Sequence, residues 1–255
     1  MNLVLFTADE RHNDTVVLSG RRAEHIRRIL RLASGDRLRV GEVNGLTGTA
    51  VISHIDGESL HLSVTLSSPP PQSPDIELIL ALPRPIMLQR ILKQATTLGV
   101  RRFHLIRTRR VEKSFFHTPV LFPEKIEKIL LEGMEQAMDT RMPEVCVYRR
   151  FKPFVADILP TLGGKGLLAH PTAESPLNAF FTSSPAGKEN TKLQTGKGAE
   201  NEKILLAVGP EGGFVDYECR QFIEHGFYPF TMGPRILHVD TAVVALLAQI
   251  MLLRQ

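Results

Sequence analysis

The sequence is poor in cysteine. Cys146 and Cys219 are its only two, which leaves neither a disulfide framework nor a zinc site of paired thiolates. Long apolar runs are missing as well. The longest, Ala242 to Leu253, is interrupted at Gln249 and falls short of the ~20 residues that cross a bilayer. The opening MNLVLFTADERH carries too short an apolar stretch and no basic lead, so a secretory signal is not expected. Neither sign of charge dominates. With 31 Lys and Arg against 27 Asp and Glu, the net charge is +4, and the total alone does not mark a nucleic-acid binder. The signatures G-x-x-x-x-G-K-[ST], G-x-G-x-x-G and H-E-x-x-H are absent, which removes the common phosphate loops and the helical zinc-hydrolase motif. What remains is a chain of 255 residues, 43% apolar and 23% charged. That is the composition of an ordinary globular protein, expected in the cytoplasm with no membrane and no metal.

Ser67-Ser-Pro-Pro-Pro-Gln-Ser-Pro74 holds four prolines in eight residues and reads as a stiff linker. It separates a first domain, 1–70, from a second, 75–255. Before it, the apolar stretches Leu3 to Phe6, Leu38 to Val43, Gly48 to Ile55 and Leu60 to Leu66 are parted by polar or glycine turns, the pattern of a small β-rich module. One helix is expected there, Ala23 to Leu32, with Ile26, Ile29 and Leu30 on a single face. After the linker, strand and helix patterns alternate. Strands are expected at Ile76 to Leu82, Phe103 to Ile106, Glu144 to Tyr148, Gly166 to Ala169, Ile204 to Val208 and Phe227 to Thr231. Leu88, Ile91, Leu92 and Ala95 mark one amphipathic helix, and Ile126, Ile129, Leu130, Met134 and Ala137 another. This alternation predicts an α/β domain with a mostly parallel sheet. The polar segment Thr182 to Glu202 is expected to be an exposed, flexible insertion.

Positive charge is concentrated although its total is not. Seven arginines lie between Arg21 and Arg39, among them Arg22, Arg27, Arg28 and Arg31, and only Glu24 and Asp36 oppose them. A second cluster holds Arg101, Arg102, Arg107, Arg109, Arg110 and Lys113. Guanidinium groups suit phosphates and stacked bases, so the clusters are either RNA contacts or solvated faces.

Chemistry points to three loops at the carboxyl ends of apolar strands: Leu167-Leu-Ala-His-Pro171, Val208-Gly-Pro-Glu-Gly-Gly-Phe214 and Met232-Gly-Pro-Arg-Ile-Leu-His-Val-Asp-Thr-Ala242. Their glycines let backbone approach a ligand, and their prolines stiffen the turns. Three such loops together are what a cofactor crevice in an α/β sheet requires.

These motifs resemble the bacterial 16S ribosomal RNA (uracil-N3)-methyltransferase family of the SPOUT superfamily. The resemblance runs through the basic helix with Gly35-Asp36, Ala95-Thr-x-Leu-Gly-Val100, Glu135-Gln136 and Pro143. It continues through His170-Pro171, Gly209-Pro-Glu-Gly-Gly213 and Gly233-Pro-Arg-Ile-Leu237 with Thr241-Ala242. It implies a PUA-like β-barrel followed by a trefoil-knotted α/β domain, a homodimer, S-adenosyl-L-methionine as cofactor and 16S ribosomal RNA as partner. On that resemblance the cofactor is held by Ala169, His170, Gly209, Pro210, Glu211, Gly212, Met232, Gly233, Ile236, Leu237 and Thr241. RNA is held by Arg21, Arg22, Arg27, Arg28, Arg31, Arg109 and Arg110.

Methylating uracil N3 requires loss of the imide proton, alignment of the nitrogen with the methyl group, and stabilisation of the transient uridinate. Arg235, His238, Asp240 and Arg141 are the candidates for this side of the reaction. Here the sequence departs from the family pattern R-I-L-R-x-E-T-A. His238 stands for the second arginine and Asp240 for the glutamate, while Asp139, Gln94 and Thr97 replace other charged positions. Arg to His is not a conservative exchange, although a histidine can accept a proton near neutral pH. Two alternatives stay open: the same scaffold modifying another RNA site, and a non-catalytic RNA-binding or ribosome-assembly protein. A small-molecule enzyme using the glycine loop for phosphate is a third, more distant one. Cys146, Cys219 and His104 are expected to be structural.

Overall fold

The structure, a computed structural model, describes residues 2–182 and 202–254, so the expected insertion falls mostly outside the described residues. The chain forms two compact units, Met1–Gln72 with Lys128–Met142, and Ser73–Glu127 with Pro143–Gln255.

The first unit is built on one curled sheet. Its strands are β1 (Val4–Phe6), β2 (Arg11–His12), β3 (Thr15–Leu18), β4 (Arg37–Glu42), β5 (Thr47–Asp56) and β6 (Ser59–Ser68), in the order β1-β4-β5-β6-β3-β2. Only β1 and β4 pair in parallel. Along β6, Leu60, Leu62 and Val64 are buried on alternate positions and meet Val16, Leu18, Val40, Ala50 and Ile52 in the core. Alternation of this kind puts one face of an antiparallel sheet inward. At Gly48 a Cβ would lie 1.9 Å from the Thr65 carbonyl oxygen, so only glycine fits this irregular point of the β5–β6 pairing. No described pairing joins the edge strands β1 and β2, and the sheet is a half-barrel rather than a closed one.

The expected basic helix starts earlier and ends earlier than its apolar pattern predicts. Helix α1 (Gly20–Glu24) widens into a π turn over His25–Ile29, and Arg31 leaves it at φ 55°. The Leu30 N–H reaches back five residues to the His25 carbonyl. A wider turn rotates the side chains out of 3.6-residue phase. Ile26 is buried, but Ile29 is 67% exposed, so the three apolar residues do not share a face as expected. The C-terminal part of α3 (Pro123–Ala137) belongs to this unit, where Met134 packs with Leu3 and Leu5.

The second unit carries six parallel strands: β7 (Ile76–Ala81), β8 (Arg102–Ile106), β9 (Glu144–Tyr148), β10 (Lys165–Ala169), β11 (Ile204–Val208) and β12 (Tyr228–Phe230), in the order β12-β10-β11-β7-β8-β9. Both β7 and β11 are buried at every position, as strands covered on both faces must be. The helices are α2 (Pro85–Thr97), the short α4 (Phe151–Pro153), α5 (Leu177–Thr182), α6 (Asp216–Glu224) and α7 (Val239–Leu253). Successive strands β7, β8 and β9 proceed to one edge, and β10 to β12 fill the other side. The order therefore reverses between β7 and β11, and ligands of such sheets bind outside the carboxyl ends of the strands at that reversal.

Glu77 interrupts the apolar β7 with a buried charge. Its carboxylate accepts from His104 Nε2 at 2.8 Å and from Lys203 Nζ at 2.9 Å. Burial alone would raise its pKa, but these hydrogen bonds and the neighbouring positive charge outweigh it and hold the carboxyl at about 2. A folded-state pKa below the free value stabilises the protein above that free value, and the contribution disappears as pH falls towards 2. We expect Glu77→Gln to lower stability at neutral pH by on the order of 3 kcal/mol. The gap between the variants should close between about pH 4.5 and 2 in urea titrations. A gap independent of pH would refute this assignment.

Candidate functional site

Three loops meet at the carboxyl ends of β10, β11 and β12 and line a cavity of about 120 Å³, bounded largely by apolar side chains with a few polar groups, as small-molecule sites are. The first runs on from Ala169 to His170, whose N–H donates to the Phe230 carbonyl at 2.9 Å and so ties it to the end of β12. His170 Nδ1 lies 2.9 Å from the Thr172 hydroxyl.

The second loop follows β11. Gly213 closes it by donating to the Pro210 carbonyl at 2.7 Å, at φ +74°. Three anchors within the unit fix this turn. The Arg84 N–H donates to Glu211 at 3.2 Å, the Arg110 guanidinium donates to the Gly212 carbonyl, and the buried Glu218 accepts from Val215 N–H at 3.0 Å and Arg109 N–H at 2.6 Å. Glu218 thereby satisfies an amide at the start of α6, as helix N-termini require.

The third loop follows β12. Thr231 Oγ1 accepts from Gly233 N–H at 3.2 Å, and Gly233 sits at φ +117°, a conformation that favours glycine. Beyond it Ile236 is 83% exposed and Leu237 37% exposed at the cavity mouth. Large apolar side chains held open to solvent beside a cavity await an apolar ligand face.

Of the residues expected to hold the cofactor, Ala169, His170, Gly209, Pro210, Glu211, Met232, Gly233, Ile236 and Leu237 line the cavity, and so does Arg235. The lining does not include Gly212 or Thr241, nor His238 or Asp240. Helix α7 begins at Val239, and successive helical side chains turn by about 100°. Val239, Ala242 and Leu246 face the cavity. Asp240 pairs with Arg90 at 3.5 Å. His238 occupies the N-cap position and is exposed. Arg141 belongs to the first unit and pairs with Asp139 at 3.3 Å. Ala242 and Leu246 were not among the expected site residues; their spacing of four on one helix, which sets both on one face, was the available signal.

Several of the N-terminal arginines have partners inside their own unit. Arg21 is bound to Glu135 at 3.1 Å, Arg22 to Glu10 and to the Leu5 carbonyl, Arg27 to the Gly57 carbonyl, and Arg28 to Glu24 at 2.8 Å. The last is an exposed pair of the kind worth little. In the second cluster, Arg101 and Arg102 sit at the start of β8 and Arg107 to Lys113 beyond its end. A five-residue strand spans roughly 16 Å, so this cluster is two patches. Arg149 and Arg150, which the sequence pattern did not single out, lie at the same sheet edge as Arg107 because β9 runs parallel to β8. Burial raises the pKa of both thiols, helped by Glu144 beside Cys146 and by Glu218 beside Cys219, so they are held as poor nucleophiles.

The sequence model of the RNA methyltransferase domain matches residues 70–251, and that of the RNA methyltransferase PUA domain matches residues 18–65. The fold and its crevice are thus those of an RNA methyltransferase carrying a PUA domain. Ribosomal RNA small subunit methyltransferase E of Treponema pallidum is 30% identical over 98% of this chain and 91% of its own length. The protein of the same name from Synechocystis is 30% identical over 92% of this chain and 72% of its own length. The chain belongs to the ribosomal RNA small subunit methyltransferase E family. Among solved structures, that enzyme from Neisseria gonorrhoeae bound to S-adenosyl methionine superposes with a TM-score of 0.72 at 20% identity, covering 98% of both chains. A Legionella pneumophila protein solved with the same cofactor gives 0.75 at 21% identity, covering 98% of this chain and 97% of its own. The chain shares the fold of these two proteins.

Proposed function

We propose that the protein transfers a methyl group from S-adenosylmethionine to N3 of a uridine in 16S ribosomal RNA. The observation that carries this reading is the cavity at the carboxyl ends of β10, β11 and β12, beside the point where the strand order reverses. Ile236 and Leu237 stand open beside it, and Arg235 is the one Lys or Arg among its described lining residues. The residues fit the cofactor. Backbone of the Gly209 and Gly233 loops can approach the adenine edge, and Met232, Ile236 and Leu237 offer it apolar faces. When bound, the cofactor supplies an electrophilic methyl on a sulfonium.

The chain then has to hold a uracil with N3 towards that methyl and to stabilise the negative charge left when its proton departs. Arg235 supplies the cation. His238, exposed between the lining residues Leu237 and Val239, takes the imide proton. Asp240, paired with Arg90, fixes the first turn of α7. The exposed Arg31, Arg109 and Arg110 contribute to holding RNA. We further place the protein in the cytoplasm, as a homodimer joined near the end of α7, where Leu252 is 67% exposed, with the crossed C-terminal loops forming a trefoil knot.

The test is methylation of ribosomal RNA isolated from a strain lacking the gene, followed by mapping of the modified base. A methyl group at a uridine N3 of the small-subunit RNA is the expected result. Transfer to a different site would replace the target, and binding of the cofactor without transfer would point to a ribosome-assembly protein.

A further inference from the structure

Resting on the methyltransferase reading above, we infer that a second, basic cleft at the carboxyl ends of β8 and β9 binds a phosphodiester of the substrate RNA. The two strands pair in parallel with Ile106 opposite Tyr148, and the Arg107 N–H donates to the Tyr148 carbonyl at 3.0 Å. Residues after each strand are therefore delivered to one edge. There Arg107, Arg109 and Lys113 of one segment and Arg149 and Arg150 of the other surround an open cleft of about 350 Å³.

Among the described residues none of these five cations forms an ion pair with a carboxylate. The nearby Glu112 carboxylate accepts from the Ser114 hydroxyl at 3.4 Å. Arg149 is held in place, donating to the Phe116 carbonyl at 3.3 Å and lying 5.6 Å above that ring. Like charges gathered around a cleft repel one another unless an anion lies between them. Guanidinium forks match a phosphate's oxygens.

Thr108 supplies an independent observation. It lines the same cleft and is 3% exposed, and its hydroxyl has no hydrogen-bond partner. Buried polar groups are normally paired, and a phosphate oxygen is the acceptor this hydroxyl lacks. The position also suits a substrate. Only β7 lies between β8 and β11, so at ~4.8 Å per strand the cleft opens on the order of 10 Å along the edge from the glycine loop. The Arg109 and Arg110 bonds to Glu218 and Gly212 lock the two loops together. A phosphate seated here would belong to a nucleotide close to the one whose base enters the cavity.

Two measurements test this. In the wild-type protein, inorganic phosphate should produce saturable shifts of arginine Nε–Hε resonances assigned to Arg107, Arg109 and Arg150. In the double variant Arg109→Ala/Arg150→Ala these shifts should vanish. Arg109 holds its loop through the backbone, so the side chain can be removed without releasing Glu218. The same variant should bind a small-subunit RNA fragment roughly tenfold more weakly, with the log–log salt slope shallower by about 1.4, as two lost single-strand phosphate contacts require. Thr108→Val should weaken phosphate binding without lowering the melting temperature, and Thr108→Ser should restore it.

Absence of saturable phosphate shifts in the wild type overturns the proposal. So does an unchanged salt slope in the double variant, which would leave a free-anion site only. Failure of methyl transfer by the wild type is read separately and counts against the proposed reaction, since neither binding measurement depends on turnover.

Discussion

Replacing Arg235 by alanine is expected to lower the methyl-transfer rate by roughly a hundredfold to a thousandfold, the usual cost of removing one preorganised donor from a developing anion. The affinity for S-adenosylmethionine should change only a few-fold. Among the described lining residues Arg235 is the one Lys or Arg, so no neighbour in the cavity takes over its charge. The effect should fall on kcat rather than on cofactor binding, because the uridinate exists only after the proton has left. Arg235→Lys restores a point charge without the fork and should recover part of the rate. The deficit of the alanine variant should persist as pH rises, since the uridinate needs its counter-charge whichever base removes the proton. His238→Ala behaves differently under the same reading: its loss shrinks in alkaline buffer, where hydroxide takes over the deprotonation. Single-turnover rates across pH separate the two. An Arg235→Ala enzyme with an unchanged rate removes the cation from the mechanism.

Gly209→Val is expected to weaken S-adenosylmethionine binding by roughly tenfold to a hundredfold, matching the 1–3 kcal/mol that overpacking typically costs. A Cβ at this position would stand 3.1 Å from the Phe214 nitrogen and 3.3 Å from the Gly213 carbonyl carbon. The glycine loop would have to open, or the added methyl groups would enter the cavity. Arg84, Arg110 and Glu218 pin this loop, so it has little room to relax. Calorimetry with the cofactor measures the loss, and the circular dichroism of the variant should stay native. Wild-type affinity in this variant would remove the Gly209 turn from the binding site.

Much of this architecture was legible in the chain. Of the two strands at the centre of the parallel sheet, β11 reads as an unbroken apolar run and β7 as one broken only by Glu77, because both are covered on both faces. The loops that line the cavity were legible because glycine and proline concentrate just after such strands. What escaped the sequence has specific physical causes. Strand β3 has only four residues, too few for its alternation to stand out. The π turn at His25–Ile29 rotates Ile29 away from Ile26, a change no 3.6-residue pattern anticipates. At the site, Thr241 and Asp240 follow Leu237 closely in sequence but lie on the first turn of α7, where helical rotation carries them off the cavity. Arg149 and Arg150 became visible only through the pairing of β9 with β8. Family resemblance supplied the cofactor and the reaction, which periodicity cannot supply.

The membership of residues 128–142 in the N-terminal unit has an evolutionary and practical consequence. The chain passes from one unit to the other at three points, near 72, 127 and 142. A fragment ending at Gln72 would uncover Leu3 and Leu5 where Met134 now lies and would strip Arg21 of its carboxylate. Trading this PUA unit between enzymes by a single splice at the proline segment would therefore leave it without part of its core. The helical strap has to travel with it.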